Sequence, residues 1–127
     1  MEDDIFINES EMFEEVIPGR KLRFNFPAVY FYLSSSALVA YFNKLAVPMM
    51  ADAKRVQVKV SSRFIVFLPS DRKPHNTFAK GQSHTATLAV TNLVGIVPVG
   101  AAFRCYPYKG GIAIKRDEPI KGGTQSD

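Results

Sequence analysis

The chain has 127 residues, 46% of them hydrophobic and ten of them Phe, with a net charge of +4. That is one domain's worth of chain with enough apolar volume to fill a core, which excludes wholesale disorder. No run approaches the roughly 20 apolar residues of a membrane-spanning helix. The acidic start Met1-Glu2-Asp3-Asp4 lacks the basic n-region of a signal peptide, and one cysteine, Cys105, cannot build an intrachain disulfide framework. The expectation is a cytoplasmic protein with no membrane partner.

The charge is unevenly laid out. Glu2, Asp3, Asp4, Glu9, Glu11, Glu14 and Glu15 give residues 1–19 a charge of −7, while all sixteen cations lie at Arg20 or later and give the remainder +11. Asymmetry of this size speaks to partners rather than to fold, and it points the body toward polyanions. Within residues 1–19 the acids are interleaved with Phe6, Met12, Phe13 and Val16, a spacing that predicts a short amphipathic helix capped by Asn8 or Ser10 and ended by Pro18-Gly19. Residues 20–118 then form a basic domain and 119–127 a polar, Gly-rich tail.

Beyond Arg20 the pattern alternates. Leu22, Phe24 and Phe26 against Lys21, Arg23 and Asn25 predict a half-buried strand, and Val29 to Leu33 a second extended run. Ser34-Ser35-Ser36 offers N-caps for a helix through Ala37, Leu38, Tyr41, Phe42 and Leu45, stopped by Pro48. Val56, Val58 and Val60, a turn at Ser61-Ser62-Arg63, and the apolar run Phe64 to Leu68 read as a hairpin whose second strand is central and covered on both faces. Residues 69–76 are a polar loop, with Arg72 and Lys73 as phosphate-contact candidates beside His75. A short helix over Thr85–Leu93 follows, ended by Gly95. A second hairpin pairs Phe103–Tyr108 with Ile112–Lys115 around Lys109-Gly110-Gly111, and Pro107 consigns its strand to an edge. The order helix, proline, hairpin occurs twice and suggests a duplicated helix–strand–strand unit. The expected fold class is α+β, a small mixed domain of antiparallel hairpins with short helices.

Catalytic chemistry finds little support. His75 and His84 are the only histidines, and carboxylates after residue 19 are confined to Asp52, Asp71, Asp117, Glu118 and Asp127, in turns or the tail. No Cys/His spacing suits zinc, and no glycine cluster opens a helix as a phosphate loop does. Cys105, at an inward strand position, reads as a small buried hydrophobe. The expectation is a non-enzymatic protein without cofactor. Strand alternation turns Lys21, Arg23, Arg55, Gln57 and Lys59 outward, and on the second hairpin Arg104, Tyr106, Tyr108 and Lys115. Cations neutralise phosphates and aromatic rings stack on unpaired bases, so the Lys, Arg and Tyr residues of this set, with Arg72 and Lys73, are the candidate nucleic-acid contacts.

The segments Tyr41-Phe42-Asn43-Lys44-Leu45-Ala46, Val56-Gln57-Val58-Lys59-Val60 and Phe64-Ile65-Val66-Phe67-Leu68-Pro69 resemble a group of small uncharacterised proteins of bacteriophages and integrative elements with tandem helix–hairpin units. The outline is also similar to AbrB/MraZ-like DNA-binding domains, without their Asp/Gly/Arg hinge signature. The resemblance implies a mobile-element accessory protein. Two functions follow as expectations. One is nucleic-acid binding through the basic sheet face. The other is an anti-defence, anti-CRISPR-like inhibitor that binds a host nuclease or effector, with Glu11, Phe13, Glu14 and Glu15 as its contact residues. Exposed edge strands would favour a homodimer.

Overall fold

A computed structural model describes residues 24–35, 37–81 and 83–120. The chain runs β1 (Ala28–Ser34), β2 (Ala37–Phe42), a 3-10 turn at Val47–Met50, β3 (Arg55–Val60), β4 (Phe64–Ser70), β5 (Asn76–Thr77), β6 (Ala79–Lys80), β7 (Ala86–Ala89), a 3-10 turn at Thr91–Leu93, β8 (Ala102–Arg104), β9 (Tyr106–Tyr108) and β10 (Gly111–Lys115). Two five-stranded sheets result, one in the order β6-β7-β2-β1-β8 and the other β5-β3-β4-β10-β9. Every strand pairing is antiparallel.

The sheets are joined at both ends by strands that bend from one to the other. Phe78 alone separates β5 from β6, and Cys105 alone separates β8 from β9. Both corner residues are buried, each 3% exposed. Taking each bent pair as one strand, the order closes into a flattened ring, in which the end of one sheet is the end of the other. Such closure removes most of the unpaired edge that an open sandwich presents.

The ring has an internal two-fold regularity. β1, β2, the first 3-10 turn, β3 and β4 occupy the places that the bent β5–β6 strand, β7, the second 3-10 turn, the bent β8–β9 strand and β10 occupy in the other half. The halves meet at four antiparallel pairs, β1 with β8, β3 with β5, β2 with β7 and β4 with β10; the last two join equivalent strands, with Ala40 facing Leu88 and Val66 facing Ala113.

Alternation along these strands fills the interior. Val29, Phe31, Leu38, Ala40, Phe42, Leu88 and Phe103 from one sheet meet Val56, Ile65, Phe67, Ile112 and Ile114 from the other. Phe42 bridges the layers, edge-on to Phe67 at 5.2 Å and to Phe78 at 5.3 Å. Full burial of a side chain of this kind stabilises by about 1.5–3 kcal/mol. A satellite cluster covers the far side of the first sheet, where Phe24, Phe26 and Ile120 pack on Ala28, Tyr30 and Ala102.

Two residues fix the framework locally. Asn43, only 4% exposed, stands where β2 ends. Its Oδ1 accepts from the Ala28 and Ala46 amides at 3.1 and 3.0 Å, and its Nδ2 donates to the Phe26 carbonyl at 3.0 Å. One side chain therefore ties the entry to β1, the exit from β2 and the first 3-10 turn. Gly111 begins β10 where it crosses β4 so closely that a Cβ would stand 2.1 Å from the Phe67 carbonyl oxygen. Space, not backbone angle, demands glycine there. The preceding Lys109 and Gly110 both have positive φ, 49° and 79°, the combination that matches a two-residue hairpin turn to strand twist.

The α+β expectation is overturned: the described residues contain strands and 3-10 turns and no α-helix. The helix expected through residues 37–45 is β2 with its following turn, and the one expected over 85–93 is β7 with a 3-10 turn. Leu38, Ala40 and Phe42, and Ala86, Leu88 and Val90, are buried at every second position. These short apolar runs fit either period, and pairing with strands distant in sequence selects the extended form. The duplicated unit is accordingly built of strands, not of a helix and two strands. Phe24–Phe26 is not a strand; the two rings stack at 5.2 Å and cover the outer side of β1. The second hairpin begins at Tyr106, because Cys105 turns the chain between sheets. The helix expected within residues 1–19 lies outside the described residues. No helix among the described residues is long and apolar enough to cross a membrane.

Asn43→Ala strips partners from buried backbone groups and is expected to cost about 3 kcal/mol, read as a lowered denaturant midpoint. Gly111→Ala is expected to cost a similar ~3 kcal/mol by forcing β10 away from β4, with loss of amide-exchange protection concentrated in those two strands.

Candidate functional site

The outward side of the β5-β3-β4-β10-β9 sheet is read from its register. Lys59 faces Val66, Val66 faces Ala113, and Ala113 faces Tyr106. These four residues form one row across four strands, all on the side opposite the buried Ile65, Phe67, Ile112 and Ile114. The neighbouring row runs from Gln57 and Leu68 to Gly111 and Tyr108, and on the other side Phe64 faces Lys115. Arg55 and Ser70 face each other at the far end. No carboxylate occupies any position in these rows.

The side-chain sizes shape the surface. The long residues Lys59 and Tyr108 stand on the outer strands, while Val66 and Ala113 lie between them. A trough of about 510 Å³ results, lined also by Val60, Ser61 and Phe64. Its floor is apolar and half-buried, and its walls differ: Lys59 on β3 and the Tyr108 ring on β9, with Tyr106 beside them on the same face, opposite Ala113. Tyr106 and Tyr108 are 37% and 40% exposed, enough to offer ring surface to a ligand. Further cations edge the trough. The Arg63 guanidinium lies 5.3 Å from the Phe64 ring centre, Lys109 Nζ 5.5 Å from that of Tyr108, and Lys115 Nζ 5.0 Å from that of Tyr106. Arg116 donates to the Ser61 carbonyl at 2.5 Å and so braces the β3–β4 turn at one end of the trough.

The structure thus gathers Lys59, Tyr106, Tyr108 and Lys115 on one surface, and it separates others. Arg55 points to the same side, but its guanidinium donates to the carbonyls of His75 at 2.9 Å and Lys73 at 3.4 Å, which pins the 71–75 loop. Arg72 and Lys73 are exposed on that loop, whose base is held by a hydrogen bond between Ser70 Oγ and His75 Nδ1. Arg104 lies on the other sheet, over the Phe26 ring at 4.3 Å. Lys115 also makes an exposed 3.8 Å contact with Glu118, a pairing that solvent keeps weak. Lys21, Arg23, Glu11, Phe13, Glu14 and Glu15 lie outside the described residues.

The residues that sequence reading missed are the floor. Phe64, Val66 and Leu68 look like core in an unbroken apolar run. Yet only Ile65 and Phe67 of β4 are fully buried, so this strand is covered on one face, not two. The usable signal is the polar turn Ser61-Ser62-Arg63: a two-residue alternation counted from it places Phe64, Val66 and Leu68 opposite Ile65 and Phe67.

Cys105 turns away from this surface into the core, and its burial pushes the thiol far above its ordinary range. Among the described residues, no group of three or more His, Cys, Asp or Glu side chains could hold a metal ion. Comparison with known proteins finds no matching protein family, no matching curated protein and no matching solved structure.

The buried thiol leads to a chemical expectation. A thiol reagent at neutral pH should leave Cys105 unmodified in the folded chain and modify it fully in denaturant. The raised pKa also fixes a sign. The unfolded thiol ionises first, so the stability contributed by the neutral buried thiol is complete below the ordinary thiol pKa and declines as the pH rises above it. Unfolding midpoints measured between neutral and alkaline pH, with Cys105→Ala as control, test this.

Proposed function

We propose that the chain binds nucleic acid, without catalysis, through the outer face of the β3-β4-β10-β9 sheet. One observation carries this reading: the register places Lys59, Tyr106, Tyr108 and Lys115 on a single surface that has no carboxylate in its rows. Cations near a phosphate backbone release condensed counterions on binding, and exposed tyrosines supply the stacking surface that bases use. The +11 charge of the chain beyond Gly19 adds long-range attraction for a polyanion. In the setting implied by the sequence resemblance, this is the work of a phage or mobile-element accessory protein in the host cytoplasm.

The inhibitor reading depends on residues 1–19, outside the described residues, and no feature of the described fold favours it. The argument for a homodimer from exposed edges weakens, because the end strands of each sheet continue into the other.

The full chain is expected to bind a labelled oligonucleotide at about 50 mM salt, with log K falling linearly against log salt. Lys59→Gln should lower the slope by about 0.7–0.9, the contribution of one phosphate contact. Absence of binding to single strands and duplexes alike at low salt would reject the proposal.

A further inference from the structure

We infer, resting on the nucleic-acid reading above, that the trough selects unpaired strands and holds them in one orientation, with phosphates along the β3 wall and bases against the β9 wall. The row Lys59–Val66–Ala113–Tyr106 crosses four strands. At 4.7–4.9 Å per strand spacing, its ends lie roughly 14 Å apart. Within that span the chemistry changes from cation to apolar floor to aromatic ring. A single polynucleotide strand has the same gradient across its width, from phosphate through sugar to base.

The floor distinguishes single strands from duplexes. Phe64, Val66 and Ala113 gain from contact with apolar surface and lose from contact with a charge that must shed its water. An unpaired base offers its flat face to such a floor. A duplex keeps its base faces inside its own stack and presents sugar and phosphate, so seating one here would desolvate phosphate against valine and phenylalanine. The walls act in the same sense. Lys109 and Lys115 already lie over Tyr108 and Tyr106, and a cation on one ring face leaves the opposite face for a base. The trough's 510 Å³ falls within the usual range of small-molecule sites, enough room to enclose a base with its sugar.

The internal two-fold explains why the trough is central. Val66 and Ala113 face each other where the halves meet, and Lys59 and Tyr106 stand at matching distances on either side. The backbone supplies symmetric walls, and the sequence sets the open cation Lys59 on one and tyrosine rings, each already holding a lysine, on the other. That difference gives the bound strand its direction across the sheet.

The test measures binding of the full chain to three probes of equal length at several salt concentrations: a single-stranded DNA, its duplex, and a single-stranded backbone in which the bases are replaced by abasic sites. The expected order is single strand tightest, with duplex and abasic strand each about ten-fold weaker or more, the range expected for loss of base stacking. Tyr108→Leu should narrow the gap between base-bearing and abasic strands and leave the salt slope unchanged. Lys59→Gln should lower the slope and keep the gap. Ala113→Leu, which fills the floor, provides a second reading should Tyr108→Leu lower the melting temperature. If the duplex or the abasic strand binds as tightly as the base-bearing strand, strand selection is overturned while nucleic-acid binding stands. If the two single substitutions have the same effect on slope and gap, the assigned orientation is overturned. If no probe binds at low salt, the reading beneath it falls as well.

Discussion

Strands β4 and β10 pair with Phe67 opposite Ile112 and Ile65 opposite Ile114, and Gly111 lets them approach where any larger residue would strike the Phe67 carbonyl. Most of the molecule depends on that contact. It joins the two halves of the chain in one sheet, directs four large apolar residues into the core, and in the same register turns Val66 and Ala113 outward. A slip of one residue would exchange the faces, placing the isoleucines in water and the trough floor in the core. The outer surface and the interior are thus two consequences of one register.

Closure of the ring adds the second constraint. Phe78 and Cys105 each turn a strand from one sheet into the other, and both side chains are buried at the bend. A corner of this kind binds the layers through continuous backbone rather than through side-chain packing alone. It also explains the placement of Arg104 and Tyr106. They are two residues apart in sequence, and on a straight strand they would share a face. The bend puts one on each sheet, and the candidate surface keeps the tyrosine and loses the arginine. Asn43 performs a comparable service at the entry to β1, where its three hydrogen bonds hold together segments up to 17 residues apart in the chain.

The site is correspondingly a product of register. A strand presenting Arg55, Gln57 and Lys59 and another presenting Tyr106 and Tyr108 are separated by about fifty positions in sequence. They become one surface because β4 and β10 lie between them, with the shorter Val66 and Ala113 at the middle of the face. Arg55 illustrates the opposite outcome. It lies on the correct side, yet two loop carbonyls occupy its guanidinium. Outward alternation alone therefore overstates the number of cations available to a ligand.

Some of this was legible in the sequence. The division of charge at Gly19, the β3–β4 hairpin with its Ser-Ser-Arg turn, a turn at Lys109-Gly110-Gly111 (of which Gly111 proves to open β10) and the inward place of Cys105 all follow from local composition and two-residue alternation, which need no distant partner. Tertiary structure decided the rest. Segments 37–42 and 86–89 are short apolar runs that satisfy helical and extended spacing equally, and the choice lay with hydrogen bonds to strands elsewhere in the chain. The helix–hairpin repeat read from those segments became a repeat of strands for the same reason. Which cations and tyrosines share a surface was decided by the β4–β10 register and by the bend at Cys105, because a strand's sequence fixes which residues alternate, whereas its neighbours fix which way each set faces.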